Sequence, residues 1–392
     1  MKALLVILDG VGDIGAKTPL SEANIPTINR LASEGTTGLL HPLGRGTVPT
    51  SGNSHLSIFG YDLSYYPGRG PIEALGAGVV LHSGDIAFRC NFATVKDGKL
   101  IDRRAGRIDK GAHELAASLS GTKIGDVEVI LRHTSQHRLV LLFKGEGLSP
   151  NITSTDLHEL GGKIPKSKPL DATEEAKKTA HTLNEFTRLS MGLAEHPINK
   201  NRKLPANIII ARGSGQMRKI PSLKERFGIS AACVAGGALY KGVAKYVGMD
   251  VIKVPGATAT FNTDLMSKAK ATLESIKTHD MVFLHIKATD NAGHDGDFKK
   301  KQQMIEKVDR MLKIVRPSLP PTTIVLTGDH STPVSLKRHS SDPVPILFWG
   351  PNITPDNVQK FNEFSCQEGG LGHLEGLDIM PRIQDFLGKS RI

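Results

Sequence analysis

The sequence predicts an α/β fold: a parallel sheet flanked by helices, interrupted by a smaller inserted α+β domain. Three observations carry this expectation. Several short runs are wholly or almost wholly apolar, among them ALLVIL at 3–8, NIIIA at 207–211, MVFLHI at 281–286 and ILFW at 346–349. Such runs mark strands buried on both faces. From about residue 205 they alternate with segments of helical periodicity, and a βαβα order implies a parallel sheet with helices on both sides. Between 83 and 204 the texture changes to hairpin signals and short strands. We therefore expect a core of 1–82 and 205–392, with 83–204 as the insert. At 392 residues, two domains are the natural expectation.

Composition narrows the class. Hydrophobic residues make up 39% and charged residues 23%, as in globular proteins, and no apolar run is long enough to span a membrane. The opening MKALLVILDG reads as a buried first strand, not a signal peptide. Cys90, Cys233 and Cys366 are odd in number and far apart. They argue for a reducing compartment, hence a cytoplasmic protein. The net charge of +11 comes with only 5% aromatics and no long Lys/Arg block. That favours an enzyme handling small anions over a nucleic-acid binder. Oligomeric state is not readable.

In chain order, Ala3–Leu8 is a strand ending in Asp9-Gly10. A helix follows over 23–35, with Pro26-Thr27 at its start and Ile28, Leu31 and Ala32 facing inward. In GTVPTSGNSHLSIFG (46–60), Pro49–Gly52 make a turn before another helix. Ser51 lies at that helix's amino terminus, where free N–H groups favour an anion, and His55 lies one turn on. An ordinary N-cap serine is the plainer reading, and Ser54 competes for any nucleophile role. Residues 61–78 read as a Gly-rich loop holding Arg69 and Glu73.

In the insert, 88–95 and 99–103 flank the hairpin signal Lys96-Asp97-Gly98, and Arg103, Arg104 and Arg107 follow. Strands are expected at 127–131 and 138–143, with His133 and His137 in a polar loop between them, then a Pro/Lys-rich linker at 165–169 and a helix over 173–191. Strand NIIIA, ending at Arg212, reopens the alternation. Strands at 231–235, 251–254 and 281–286 are interleaved with helices at 240–247 and 263–277. A polar loop carrying Asp290 and His294 comes next, then a helix over 298–315, a strand at 323–327 ending before Asp329-His330, and Lys337-Arg338-His339 ahead of the strand at 346–349.

Asp9, Asp290, His294, Asp329, His330 and His339 thus fall at strand ends, and a parallel sheet gathers such ends on one edge. Carboxylate oxygens mixed with imidazole nitrogens suit Mn, Co or Zn better than Ca or Mg. Two such ions would activate a hydroxyl and neutralise a transferring phosphoryl group.

The motifs LLVILDG, PTSGNSHLSIFGYD, GRGPIEALGAG, CNFATVKDGKLIDRRAGRI, HIKATDNAGHDGD, LTGDHSTP and RHSSDPVPILFWG, in this order along essentially the whole chain, resemble the cofactor-independent phosphoglycerate mutases. The archaeal branch of that family, within the alkaline-phosphatase superfamily, is the closer match. The resemblance implies an alkaline-phosphatase-like core and an inserted substrate-binding lid. It implies one metal held by Asp9, Ser51, Asp329 and His330 and a second held by Asp290, His294 and His339. Manganese is the first expectation, with Co, Zn or Mg as alternatives, and no bisphosphoglycerate is needed. Ser51 would be the nucleophile that becomes phosphoserine as 3- and 2-phosphoglycerate interconvert in glycolysis and gluconeogenesis. Asp102, Arg103, Arg104, Arg107, Arg212 and Lys241 would bind substrate, with Arg69 and His137 as outer candidates. Pro49-Thr50-Ser51-Gly52 departs from the archaeal Pro-Gly-Ser-Asp, and Asn53-Ser54 resembles the bacterial branch, which keeps Ser54 in contention. The alternative activity is phosphomonoester or phosphonate hydrolysis on the same metal core.

Overall fold

The computed structural model describes residues 1–156 and 159–390. These form two compact units, Met1–Tyr66 with Ile220–Ile392, and Pro67–Lys219. The first unit opens with β1 (Lys2–Leu8), α1 (Pro26–Ser33), β2 (Thr36–His41) and α2 (Ser51–Ile58). The second carries α3 (Arg69–Gly76), β3 (Ile86–Lys96), β4 (Lys99–Asp102), α4 (Ala112–Leu119), β5 (Lys123–Ile124), β6 (Val127–Ser135), β7 (Arg138–Lys144), α5 (Glu174–Ser190) and β8 (Ile208–Gln216). The chain returns to the first with α6 (Leu223–Phe227), β9 (Ala231–Val234), α7 (Ala238–Tyr246), β10 (Asp250–Val251), α8 (Leu265–Thr278) and β11 (Met281–Ile286). It closes with α9 (Ala288–Asp295), α10 (Phe298–Val315), β12 (Thr322–Thr327), β13 (Val344–Trp349), β14 (Gly372–Glu375) and α11 (Ile379–Phe386).

The first unit is built on an eight-stranded sheet of order β10-β9-β11-β1-β12-β13-β2-β14. It is mostly parallel, as expected, with β13 antiparallel to both neighbours. β1 sits between β11 and β12, both parallel to it, with Leu8 beside Ile286 and Ile7 beside Thr327. The three strands therefore end at one level, and the residues just beyond their carboxyl ends meet at a single edge. Successive side chains of a strand point to opposite faces. Leu4, Val6 and Leu8 accordingly pack with Ile28 and Leu31 of α1 and Met304 and Val308 of α10. On the other face the Phe283 ring meets Phe59, next to α2, at 5.0 Å. Pro26 opens α1, and Asp309 of α10 accepts the Ile28 N–H at 2.8 Å, satisfying a donor that a helix start otherwise leaves free.

The second unit holds an antiparallel sheet of order β4-β3-β7-β6-β5, with β8 added on β3. Phe88, Phe143 and Phe186 pack with α4 and α5 residues such as Leu115 and Leu183 in its core.

Several local expectations need correction. The stretch carrying Asp290 and His294 is the helix α9, closed by Gly296 in the left-handed region at φ 72°. Its glycine, Asn and Asp residues hid the helix because each is a poor helix former. The supposed loop at 61–78 contains α3, whose Pro71–Ala74 segment is buried and whose Arg69 and Glu73 pair at 2.7 Å. His133 lies within β6 rather than in a loop, and the strand expected at 251–254 is only Asp250–Val251. NIIIA does not join the parallel sheet: β8 runs antiparallel to β3, with Ala211 opposite Cys90. An all-apolar strand reports burial on both faces, not the identity of its partner. Ile209 and Ala211 face one core here, and Ile208 and Ile210 another. The second unit therefore takes in α3 and β8. Among the described residues no helix is long and apolar enough to cross a membrane.

Leu326, fully buried on β12, reports on the packing beneath the sheet edge. Leu326→Ala is expected to cost about 2–5 kcal/mol, read as a lowered urea midpoint of the first unit.

Candidate metal centre

β1 ends at Leu8 and delivers Asp9; β11 ends at Ile286 and delivers Lys287 and then α9; β12 ends at Thr327 and delivers Asp329-His330. Asp9, Asp329 and His330 are completely buried and Asp290 is 1% exposed. Gly10 lets the loops close, since an added Cβ would lie 2.6 Å from Thr332 Oγ1 and 2.8 Å from Asp290 Oδ1, and its φ is +61°. Its N–H donates to Asp329 Oδ1 at 3.0 Å.

Among the described residues, three groups of side chains bring candidate ligand atoms within 4.8 Å of one another: Asp9–Asp329–His330, Asp290–His330–His339 and Asp9–His55–His285. Ser51 opens α2, and its Oγ lies 3.2 Å from His330 Nε2. His330 Nε2 also lies 3.3 Å from Asp329 Oδ2 and 3.6 Å from Asp9 Oδ1. Around Asp290 Oδ1, His294 Nε2 stands at 3.4 Å and His339 Nε2 at 3.5 Å. The other nitrogens of these two rings are tied to carbonyls, His294 Nδ1 to Lys337 at 2.9 Å and His339 Nδ1 to Pro49 at 2.9 Å. Each ring therefore presents Nε2 inward. Position i and i+4 on α9 put Asp290 and His294 on one face.

The structure thus brings together Asp9, Ser51, Asp290, His294, Asp329, His330 and His339. Ser54 is turned away: its hydroxyl donates to Thr50 O at 2.8 Å. Four further side chains, unremarked in the sequence, belong to the same region. Lys287 bridges Asp9 Oδ1, at 2.9 Å, and Asp290 Oδ2. His285 Nε2 bonds Asp9 Oδ2 at 2.9 Å, and Tyr240 stacks on the His285 ring at 3.5 Å. Thr332 Oγ1 reaches Asp290 Oδ1 at 2.7 Å. Lys287 could have been found by applying to it the strand-end logic that found Asp9. His285 sits inside an apolar run and gave no such signal.

Electrostatics follow from burial. Burial alone would raise the Asp9 carboxyl, but the Lys287 ammonium and the His285 bond hold it well below the usual range. Burial likewise opposes ionisation of Asp290, and Lys287 is again the main force overcoming it. Burial drives His285 down to about 4 against the pull of Asp9, so it donates as a neutral ring. Burial works against a charge on His55 and on His339 too, yet Asp329 raises the first and Asp290 the second. Three buried carboxylates face one ammonium, and Asp329 Oδ2 has no hydrogen-bond partner among the described residues. Such a site is costly unless cations complete it. The oxygen and nitrogen donors present fit divalent metal ions.

In the second unit Arg103 grips Asp156 with two bonds, at 2.8 and 2.7 Å, and Arg212 approaches the same carboxylate at 3.5 Å. Asp156 was not anticipated. Asp102 instead caps its own loop, accepting the Arg104 N–H at 2.6 Å, while Arg104 and Arg107 are exposed. His137 is buried, which drives it down to about 4. In the first unit, Lys241 is half-buried on α7.

Fold and site together define a metalloenzyme, and the model of the Metalloenzyme superfamily matches residues 1–383. A 2,3-bisphosphoglycerate-independent phosphoglycerate mutase of Methanococcus aeolicus is 45% identical, covering 100% of this chain and 99% of that one. One from Methanocaldococcus jannaschii is 44% identical over 99% and 98%. The solved cofactor-independent phosphoglycerate mutase of Thermoplasma acidophilum superposes with a TM-score of 0.72 at 34% identity, over 99% of this chain and all of that one. The chain belongs to the archaeal-type 2,3-bisphosphoglycerate-independent phosphoglycerate mutases, a family of isomerases.

Because the Asp9 and Asp290 pKa values are depressed, their stabilisation is complete above the ordinary Asp value of about 3.9 and is lost as pH falls through the depressed values. Lys287→Met should cost the metal-stripped protein about 3–5 kcal/mol near neutral pH. That deficit should shrink toward about pH 4, as carboxyls no longer held ionised take up protons. Urea unfolding across this range measures it, and a pH-independent deficit would contradict the electrostatic account.

Proposed function

We propose that this chain interconverts 3-phosphoglycerate and 2-phosphoglycerate through a phosphoserine on Ser51. The observation that carries the reading is Ser51 Oγ at the start of α2, 3.2 Å from His330 Nε2 and beside the buried carboxylates. Asp9, Ser51, Asp329 and His330 would hold one divalent ion, and Asp290, His294 and His339 another. When bound, such ions lower the pKa of a hydroxyl and neutralise the charge of a transferring phosphoryl group.

The chain's own residues account for the rest of the reading. The free N–H groups at the start of α2 favour the anionic phosphoryl group. Lys287 keeps a fixed positive charge at the sheet edge. The Ser51 oxygen bonds to phosphorus as the bond from phosphorus to the glycerate oxygen breaks, and that oxygen takes a proton. The other glycerate hydroxyl then attacks the phosphoserine, gives up its proton, and Ser51 recovers its own. Bonds and protons balance without bisphosphoglycerate. We assign the second unit the role of a lid that keeps water from the phosphoserine. Its Arg103 and Arg212, both held by Asp156, carry the guanidinium groups that suit the glycerate carboxylate. The bond from Ser54 to Thr50 O favours Ser51 over Ser54.

Stripping the protein with a chelator should abolish mutase activity, and adding back Mn, Co, Zn or Mg one at a time should restore it without bisphosphoglycerate and identify the preferred ion. Isomer formation should exceed phosphate release; the reverse would make the chain a phosphatase.

Ser51→Ala should lose activity by roughly 10³-fold or more together with the covalent phosphate, while Ser54→Ala keeps both. Phosphopeptide mass spectrometry that found the label on Ser54 would move the nucleophile.

A further inference from the structure

Thr332 is fully buried, and its hydroxyl touches one ligand from each candidate site. Its Oγ1 lies 2.7 Å from Asp290 Oδ1 and 3.0 Å from His330 Nδ1. A hydroxyl has a single hydrogen. An ionised carboxylate can only accept, so that hydrogen goes to Asp290. The contact with His330 then has a hydrogen only if His330 Nδ1 supplies it.

We infer that Thr332 is a positioning residue: it accepts from His330 Nδ1–H, donates to Asp290, and so aims His330 Nε2 at Ser51, Asp9 and Asp329. The hydrogen stays on Nδ1 whether the ring is neutral or charged. A neutral ring therefore carries its lone pair on Nε2, the atom that faces Ser51 Oγ at 3.2 Å, Asp329 Oδ2 at 3.3 Å and Asp9 Oδ1 at 3.6 Å. With the opposite assignment, the lone pair would face a hydroxyl that has no hydrogen left to give. The same side chain pins Asp290 Oδ1, the oxygen that His294 and His339 approach. One hydroxyl thereby sets the orientation of both groups. Its backbone is itself fixed, because the buried Lys301 ammonium donates to Thr332 O at 2.9 Å, to Gly12 O at 3.0 Å and to Asp13 Oδ2 at 2.8 Å. Partners of this kind orient ligating imidazoles and carboxylates and set their basicity.

This inference rests on the reading that His330 and Asp290 are metal ligands, and the experiment separates the two. Protein labelled with ¹⁵N-histidine is examined by long-range ¹⁵N–¹H correlation, both stripped and loaded with diamagnetic Zn²⁺, with the His330 signals assigned by their loss in His330→Gln. The wild type and Thr332→Ser should show a hydrogen on His330 Nδ1 in both forms. Thr332→Val should lose or broaden that hydrogen's signal, and its metal affinity by equilibrium dialysis should fall about 10- to 100-fold, while Thr332→Ser stays near wild type. A wild-type His330 without hydrogen on Nδ1 overturns the inference, as does Thr332→Val with unchanged signal and affinity. The wild-type spectrum decides even if Thr332→Val does not fold. If Asp290→Asn and His330→Gln bind metal as the wild type does, the ligand reading fails, whichever nitrogen holds the hydrogen.

Discussion

The structure turns on a concentration of buried negative charge. Asp9, Asp290 and Asp329 are gathered at the ends of three adjacent strands, with the half-buried Lys287 ammonium bridging the first two. Taking carboxylates out of water is costly unless each is paired or coordinated. The chain belongs to a metalloenzyme superfamily, and cations held among these carboxylates would offset that cost. Lys287 reads as the permanent part of that compensation. Its ammonium is shared between Asp9 and Asp290, which keeps both ionised before any ion arrives.

Around this charge the backbone is held rigid by polar groups rather than apolar ones. Lys301 is as buried as any core leucine, yet it serves the loops after β1 and β12. Asp13, its partner, also accepts the Val334 N–H at 3.1 Å. The loop carrying Thr332 is therefore stapled to the loop following Asp9. Gly10 completes the closure by leaving no side chain where Thr332 and Asp290 must approach. A buried ion pair of this kind is weak evidence for stability. Here its geometry gives it a different use, which is to fix where the candidate ligands point.

How much of this could be read in the sequence depends on how much a strand end reveals. Asp9 and Asp329-His330 were legible because each lies just past an all-apolar run, and a parallel sheet places such positions on one edge. The same reasoning points to Asp290 and His294, although it does not reveal that they lie on a helix. A loop was expected where α9 forms, because local propensity is weak there and burial against neighbouring segments decides. Lys287 and His285 escaped notice for opposite reasons. A lysine after a strand looks like a solvated charge, and a histidine within MVFLHI looks like part of the core. β8 was misassigned because its two apolar faces carry no mark of which sheet receives it. Arg103 and Arg212 stood out as basic residues, but their shared partner Asp156 lies in a stretch of the insert with no periodic pattern to draw attention to it.

Ser51 is proposed over Ser54 as nucleophile on geometry, because motif matching leaves both serines open. Both serines lie in the first turn of α2, three residues apart, so both are close to the helix's positive end. A nucleophile needs an oxygen free to face the reacting group. Ser54 spends its hydroxyl hydrogen on the helix's own backbone, at Thr50 O, the common fate of a serine inside a helix. Ser51 has no residue one turn earlier within the helix to bond back to, and its oxygen instead faces His330. His55, one turn on, bonds the Ser51 carbonyl at 2.6 Å and stands 3.3 Å from Asp329 Oδ2. The same Nδ1 makes both approaches, so the turn that carries Ser51 is held through its carbonyl and lies close to the strand end that carries Asp329. The serine at the helix start is held by its main chain and left open at its side chain, which is the combination a positioned nucleophile requires.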